Sequence, residues 1–304
     1  MTTTETQYCY RHPDRETGLA CSECGRPICA DCANFGPVGI RCPDHASVRP
    51  RSPAARIKPP PVRRAPGMAL ATGNAPITKA LIAINLAIYL VTAVQGAGLN
   101  SPGGALLSRF ILVGSNLHGN FFAPYGDLAH DHQWYRLVTA MFLHASILHI
   151  GFNMYALWVI GRPVEQYLGT ARYVGLYFVS GLAGSAGALL QSPFTPVLGA
   201  SGAIFGILGA MMILEWQVTG SLAGQAAALV AINLGLSFVI PNISWGGHVG
   251  GLIGGILIML AYGHWGGSRS RAQFGQLGLG GAVGLIVVGV GSVAVAYFRV
   301  RGLA

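Results

Sequence analysis

Charge is what this sequence has least of: only 10% of its 304 residues are Asp, Glu, Lys or Arg, against about 25% in an average soluble domain. A water-facing surface cannot be built around a chain this long from so small a supply. With 52% hydrophobic residues, an integral membrane protein is the expected class. Cysteine is missing after Cys42, which excludes disulfides from the whole apolar remainder. The first ten positions, Met1 to Tyr10, lack the short apolar core of a secretory signal, so the N-terminus is expected to stay in the cytosol. Nor is there a His-Glu-x-x-His arrangement, the pattern by which a helix presents a hydrolytic zinc.

The basic excess is concentrated rather than spread. Net charge is +9, and Arg49, Arg51, Arg56, Lys58, Arg63 and Arg64 fall in one proline-rich run before the first long apolar stretch. No aromatic or groove-reading motif accompanies them, so no nucleic-acid partner is expected. A cluster in this position holds its flank of a membrane protein on the cytosolic side and is attracted to anionic lipid heads, so the lipid bilayer is the expected partner of this stretch.

All six cysteines lie in four pairs with two residues between the members: Cys9 and His12, Cys21 and Cys24, Cys29 and Cys32, Cys42 and His45. A two-residue gap lets a tight turn aim both side chains at one ion, and eight such ligands suffice for two tetrahedral zinc sites. The segments between the pairs are too short for an apolar core, so metal binding would supply the folding energy. A disulfide framework would need an oxidising compartment, which a cytosolic N-terminus does not offer. The eight-ligand pattern resembles a B-box-type zinc finger. That resemblance implies interleaved pairing, with Cys9, His12, Cys29 and Cys32 on one zinc and Cys21, Cys24, Cys42 and His45 on the other. It also implies a cytosolic protein partner for the finger.

From Ile77 onward, apolar stretches long enough to cross a hydrocarbon core recur. About seven spans are expected, near 77–95, 137–160, 171–190, 201–219, 221–240, 245–264 and 277–298. Lys79, Arg162, Arg172, Arg269 and Arg271 flank the spans on one side, the cytosol, while Arg299 and Arg301 depart from that rule. On the other side, residues 96–136 carry Phe110, Phe121, Phe122, Tyr125, Trp134 and Tyr135, an aromatic content suited to the membrane interface. Four regions follow: a double zinc finger over 1–48, a basic proline-rich linker over 49–75, a core of six transmembrane helices over 76–265, and a loop with an extra C-terminal helix over 266–304.

Polar residues inside spans are costly and therefore candidates for function. His149 and Asn153 share a helix face one turn apart, with His144 nearby. Ser201 and His248 open the fourth and sixth spans, which run in the same direction, so both fall at the same outer depth. Gly247, Gly251 and Gly255, with Gly202, Gly206 and Gly209, would let those two helices touch. A serine beside an imidazole is a nucleophile with its base. No aspartate lies in spans two to seven, so a dyad is expected. Phe205, one turn after Ser201, shares its face and can stack on His248. The negative oxygen of a tetrahedral intermediate would meet the Ser201 N–H at a helix start, with His149 and Asn153 as further donors.

These residues resemble the rhomboid family over roughly 77–265. Tyr135-Arg136, His144 through His149 to Asn153, Glu165 to Gly169, Gly199-Ala200-Ser201-Gly202, and His248 with Gly251 and Gly255 occur in the family's order. The resemblance implies an intramembrane serine protease cutting single transmembrane helices near their outer ends. Ser201 would be the nucleophile, His248 the base, His149 and Asn153 the oxyanion region, and Arg136 and Glu165 structural polar residues; catalysis would need no cofactor. The 96–136 segment would be a membrane-embedded loop. Phe205 stands where the family often has tyrosine. The alternative is a catalytically silent rhomboid-like protein that only binds client helices; retention of Ser201 and His248 speaks against it.

Overall fold

A computed structural model of the chain describes residues 6–36, 39–45, 74–116, 126–264 and 278–303. The basic linker, Phe121, Phe122, Tyr125, Arg269 and Arg271 lie outside these residues. The chain divides into two compact units, Met1–Val62 and Arg63–Ala304.

The first unit has almost no regular structure. Strands β1 (Tyr8–Cys9) and β2 (His12–Glu16) form one antiparallel ladder, and β3 (Asn34–Gly36) and β4 (Gly39–Arg41) another, with Asn34 opposite Arg41. Its buried core is Cys9, Cys21, Cys29, Cys32, Cys42 and a single aliphatic residue, Ile28. Five thiols around one isoleucine give little apolar burial, so these short strands need another source of stability.

The second unit is helical. Among the described residues, five helices are long and apolar enough to cross a membrane: α1 (Pro76–Gln95), α6 (Thr170–Gln191), α7 (Ser201–Thr219), α9 (Trp245–His264) and α10 (Leu279–Val300). A bent pair makes a sixth if counted as one span. Here the structure departs from the expected second span at 137–160. Arg136–Phe142, made of α3 (Arg136–Thr139) and a 3-10 turn, meets Ile147–Leu168 at 94°. Leu143 is extended, and extended Ser146 caps the next helix by accepting the His149 N–H at 3.2 Å. The helix therefore restarts at Ile147, and a serine N-cap inside an apolar run is the local cause. It continues as α4 (Ile147–Ala156), a π turn (Leu157–Gly161) and α5 (Arg162–Leu168). Arg162, expected between spans, lies within this helix with its guanidinium 4.2 Å over the Trp158 ring. The expected fifth span, 221–240, is the 15-residue helix α8 (Gln225–Val239), shorter than a crossing helix.

Two buried carboxylates start helices other than their own. Ala75 offers α1 no side-chain cap; instead Glu165 accepts the N–H groups of Ile77 at 2.9 Å and Thr78 at 2.8 Å, and the Thr78 hydroxyl at 2.7 Å. A negative charge at a helix N-terminus is favoured by the free N–H groups and the dipole. Glu215, near the end of α7, likewise accepts the Ala226 N–H at 3.1 Å in the first turn of α8.

The centre of the unit is α6, α7 and α9, packed at backbone distance. A Cβ added at Gly251 would overlap the carbonyl of Gly202, and one at Gly255 would overlap that of Gly206. Only glycine permits this approach of α9 to α7. A short helix, α2 (Gly104–Phe110), begins the segment that leads to Leu112. Arg136 ties that segment down, donating to the carbonyls of Ser108 at 3.1 Å and Ile111 at 2.6 Å and to Gln133 Oε1 at 2.6 Å. Leu112 and Val197 then pair through two backbone hydrogen bonds, 3.0 and 2.8 Å, which fixes the strand-like run leading into Ser201.

Candidate active site

Ser201 is the first residue of α7 and His248 lies in the first turn of α9. The close packing of these helices sets His248 Nε2 2.9 Å from Ser201 Oγ. Phe205, buried one turn below the serine, stacks on the imidazole with centroids 4.2 Å apart and planes 15° from parallel. The stack holds the plane of the ring.

The approach to Ser201 needs a special backbone. Gly199 has φ of +128°, a conformation side chains rarely adopt, and its N–H donates to the Ala140 carbonyl at 2.9 Å. A Cβ at Gly199 would lie 2.8 Å from His149 Nε2 and 3.7 Å from Ser201 Oγ. His149 therefore fills the space beside the serine that a side chain at 199 would take. Its Nδ1 faces the Ala145 N–H at 3.3 Å, which makes Nδ1 the acceptor and leaves Nε2, in a neutral ring, carrying the hydrogen. Asn153 is buried one turn further along α4 and donates one amide hydrogen to the His149 carbonyl at 2.9 Å. The backbone N–H of Ser201 is among the first of its helix, which have no acceptor within the helix. His144 is fully buried against His149, rings edge to face at 5.0 Å.

Among the polar residues of this unit that escaped the reading of the sequence, two bear on α8. Glu215 is one, a lone acid in an apolar span. Ser237 is the other: its hydroxyl lies 2.6 Å from His248 Nδ1. A signal for it existed, because Asn233 and Ser237 are one turn apart in the most apolar stretch between α7 and α9.

In the N-terminal unit the eight expected ligands fall into two groups, Cys9, His12, Cys29 and Cys32, and Cys21, Cys24, Cys42 and His45, with all ligand atoms of a group within 4.8 Å of one another. Bonds to zinc of about 2.3 Å from sulfur and about 2.05 Å from nitrogen imply tetrahedral edges of about 3.8 Å between sulfurs and about 3.5 Å from sulfur to nitrogen. His12 Nδ1 lies 3.8, 3.5 and 3.4 Å from the sulfurs of Cys9, Cys29 and Cys32. In the other group, Cys24 and Cys42 are 3.9 Å apart, and His45 Nδ1 lies 3.1 Å from Cys42 and 4.0 Å from Cys21. The donors fit the ion in number, type and spacing. The backbone of Cys42 leads the causes that hold the Cys21 thiol down at about 6. Burial pushes the Cys9 thiol up but is outweighed by the backbone of Cys29 and Arg11 and the His12 ring, leaving it also at about 6.

The long apolar helices make this a multi-pass membrane protein, and His248 and His149 lie beside one serine inside it. Comparison with known proteins adds a particular likeness: residues 131–265 match the rhomboid domain. Rhomboid protease GluP of Bacillus subtilis is 33% identical over 195 residues, covering 63% of this chain and 36% of GluP. RHOMBOID-like protein 1 of Arabidopsis thaliana is 38% identical over 143 residues, 43% of this chain and 35% of that protein. Rhomboid-like protease 3 of Toxoplasma gondii is 31% identical over 147 residues, 46% and 56% of the two chains. The chain thus carries a rhomboid domain and is related to rhomboid proteases, while spanning about a third to a half of the length of these three relatives.

Proposed function

We propose that this protein is an intramembrane serine endopeptidase that hydrolyses peptide bonds in or near transmembrane helices of membrane-protein substrates. The observation that carries the reading is the 2.9 Å contact between Ser201 Oγ and His248 Nε2 inside an apolar helix bundle. In this scheme Ser201 Oγ attacks the scissile carbonyl as its proton passes to His248 Nε2. The tetrahedral oxyanion is met by the Ser201 backbone N–H, by His149 Nε2–H and by the second amide hydrogen of Asn153. Collapse expels the amine, which takes the proton from His248. Water then attacks the acyl-enzyme by the same route in reverse, releasing the new carboxyl end and restoring Ser201.

The finer features of the reading go with it. The domain is a six-helix core, with α8 as its short member, followed by α10 as a seventh helix. The N-terminus faces the cytosol and the dyad faces the outer side. The N-terminal unit holds two structural zinc ions that supply its folding energy, and it binds a cytosolic protein.

The test is cleavage of a model transmembrane substrate by the purified protein in lipid. Ser201→Ala and His248→Ala are each expected to abolish cleavage while leaving thermal unfolding unchanged, because nucleophile and base act as one unit. A serine-directed fluorophosphonate should label the wild type and not Ser201→Ala. Cleavage by either folded variant would reject the dyad, and a wild type that binds helices without cutting or labelling would mark a silent relative.

A further inference from the structure

Helix α8 buries few side chains, only Ala226, Val230 and Ser237. Ser237 is the polar one, and the direction of one of its two contacts constrains the other. Its Oγ lies 2.8 Å from the carbonyl of Asn233, one turn earlier, and 2.6 Å from His248 Nδ1. A carbonyl can only accept, so the single hydroxyl hydrogen is committed to Asn233. The oxygen is left to accept, and the hydrogen between the two groups must come from the imidazole. A neutral imidazole has one N–H. With that hydrogen on Nδ1, Nε2 presents a lone pair to Ser201 at 2.9 Å, the form a general base requires.

Stacking on Phe205 cannot do this alone. It holds the ring plane but is indifferent to a half-turn of the ring that would exchange the two nitrogens. We propose that Ser237 is a positioning residue that sets the tautomer and in-plane orientation of His248, a neutral counterpart of the carboxylate in Ser-His-Asp triads. The inference rests on the dyad reading above. When His248 takes the Ser201 proton at Nε2, the Nδ1–H to Ser237 persists, so the contact serves both the resting and the protonated ring. A hydroxyl stabilises that imidazolium only through its dipole, but it also avoids burying a second charge in an apolar bundle, which is expensive.

A purely structural link between α8 and α9 would alter stability and leave chemistry alone, so the experiment reads chemistry. Ser237→Thr keeps the hydroxyl and its bond to the preceding turn; Ser237→Val has the same shape without it. In lipid, with a transmembrane substrate, Ser237→Val should lose about ten- to a hundredfold in kcat at unchanged KM, short of the roughly ten-thousandfold loss seen when the aspartate of a full triad is neutralised. Fluorophosphonate labelling should slow in parallel, and Ser237→Thr should restore both. Equal kcat and equal labelling in the two variants would overturn the positioning role with the dyad intact, whereas failure of the dyad itself would appear separately, as labelling or cleavage by Ser201→Ala. Should Ser237→Val not fold, nitrogen-15 NMR of the His248 ring in the wild type decides: a neutral ring protonated on Nδ1 supports the assignment, and one protonated on Nε2 overturns it.

Discussion

The amide of Asn153 has two hydrogens, and the fold uses one of them. That hydrogen goes to the His149 carbonyl, which holds the amide plane and leaves the second hydrogen for a ligand. The oxyanion is absent from the bound substrate and develops on the way to the tetrahedral intermediate, so Asn153→Ala is expected to lower kcat with little change in KM. The loss should be at most about 3 kcal/mol, the worth of one such donor, and smaller if His149 and the Ser201 N–H carry the charge. Steady-state kinetics on a transmembrane substrate check this; unchanged kcat would remove Asn153 from the oxyanion site. At this scale the sequence was informative where a polar residue stood against an apolar background beside glycine, as with Ser201 and His248. For Ser237 the pairing with Asn233 one turn earlier marked a polar position but not its partner, because one serine in a helix is as compatible with back-bonding to its own turn as with a contact to another helix.

Among the elements, the approach of α7 to α9 decides the site. With the Gly202 carbonyl directly over Gly251, even a methyl group cannot enter without moving a helix, since the obstacle is backbone rather than a flexible side chain. Gly251→Ala is expected to cost about 1–3 kcal/mol in stability. It should also reduce fluorophosphonate labelling, because separating the helices opens the 2.9 Å contact between Ser201 and His248. Thermal unfolding in detergent and the labelling rate test both parts; a variant with wild-type labelling would mean that the helix contact does not set the dyad distance. The glycine repeat was legible in the sequence, but the break at Leu143 to Ser146 was not. Hydropathy runs unbroken through 137–160, and the turn depends on a serine cap whose use becomes apparent only once α4 has a starting point.

For the whole molecule, the N-terminal unit raises the sharpest question. Its core is five cysteines and Ile28, too little apolar surface to offset the ordering entropy of about forty residues at roughly 1–2 kcal/mol each. Two zinc ions per chain are therefore expected by metal analysis, and chelation should unfold this unit while the helical unit keeps its helicity by circular dichroism. One ion or none, with reduced thiols, would defeat the two-site reading. Because the helical unit contains both members of the proposed dyad and every group proposed to meet the oxyanion, deletion of residues 1–50 should leave cleavage in defined lipid unchanged. A folded but inactive truncation would instead couple the finger to catalysis.

What the sequence determined by itself is what depends on composition and short spacing: a membrane-embedded helical region, a cysteine-rich unit with paired ligands, and helix faces that bring His149 beside Asn153 and Phe205 beside Ser201. Periodicity and ligand spacing are local, and local geometry is shared by all chains with the same pattern. What only the tertiary structure decided are the contacts between different elements. Glu165 caps α1, Glu215 caps α8, Leu112 pairs with Val197, and Ser237 reaches His248 from a helix that hydropathy alone describes as featureless. In each case a buried polar atom needs a partner, and which one it finds is set by how the helices pack rather than by anything within a turn or two of its own position.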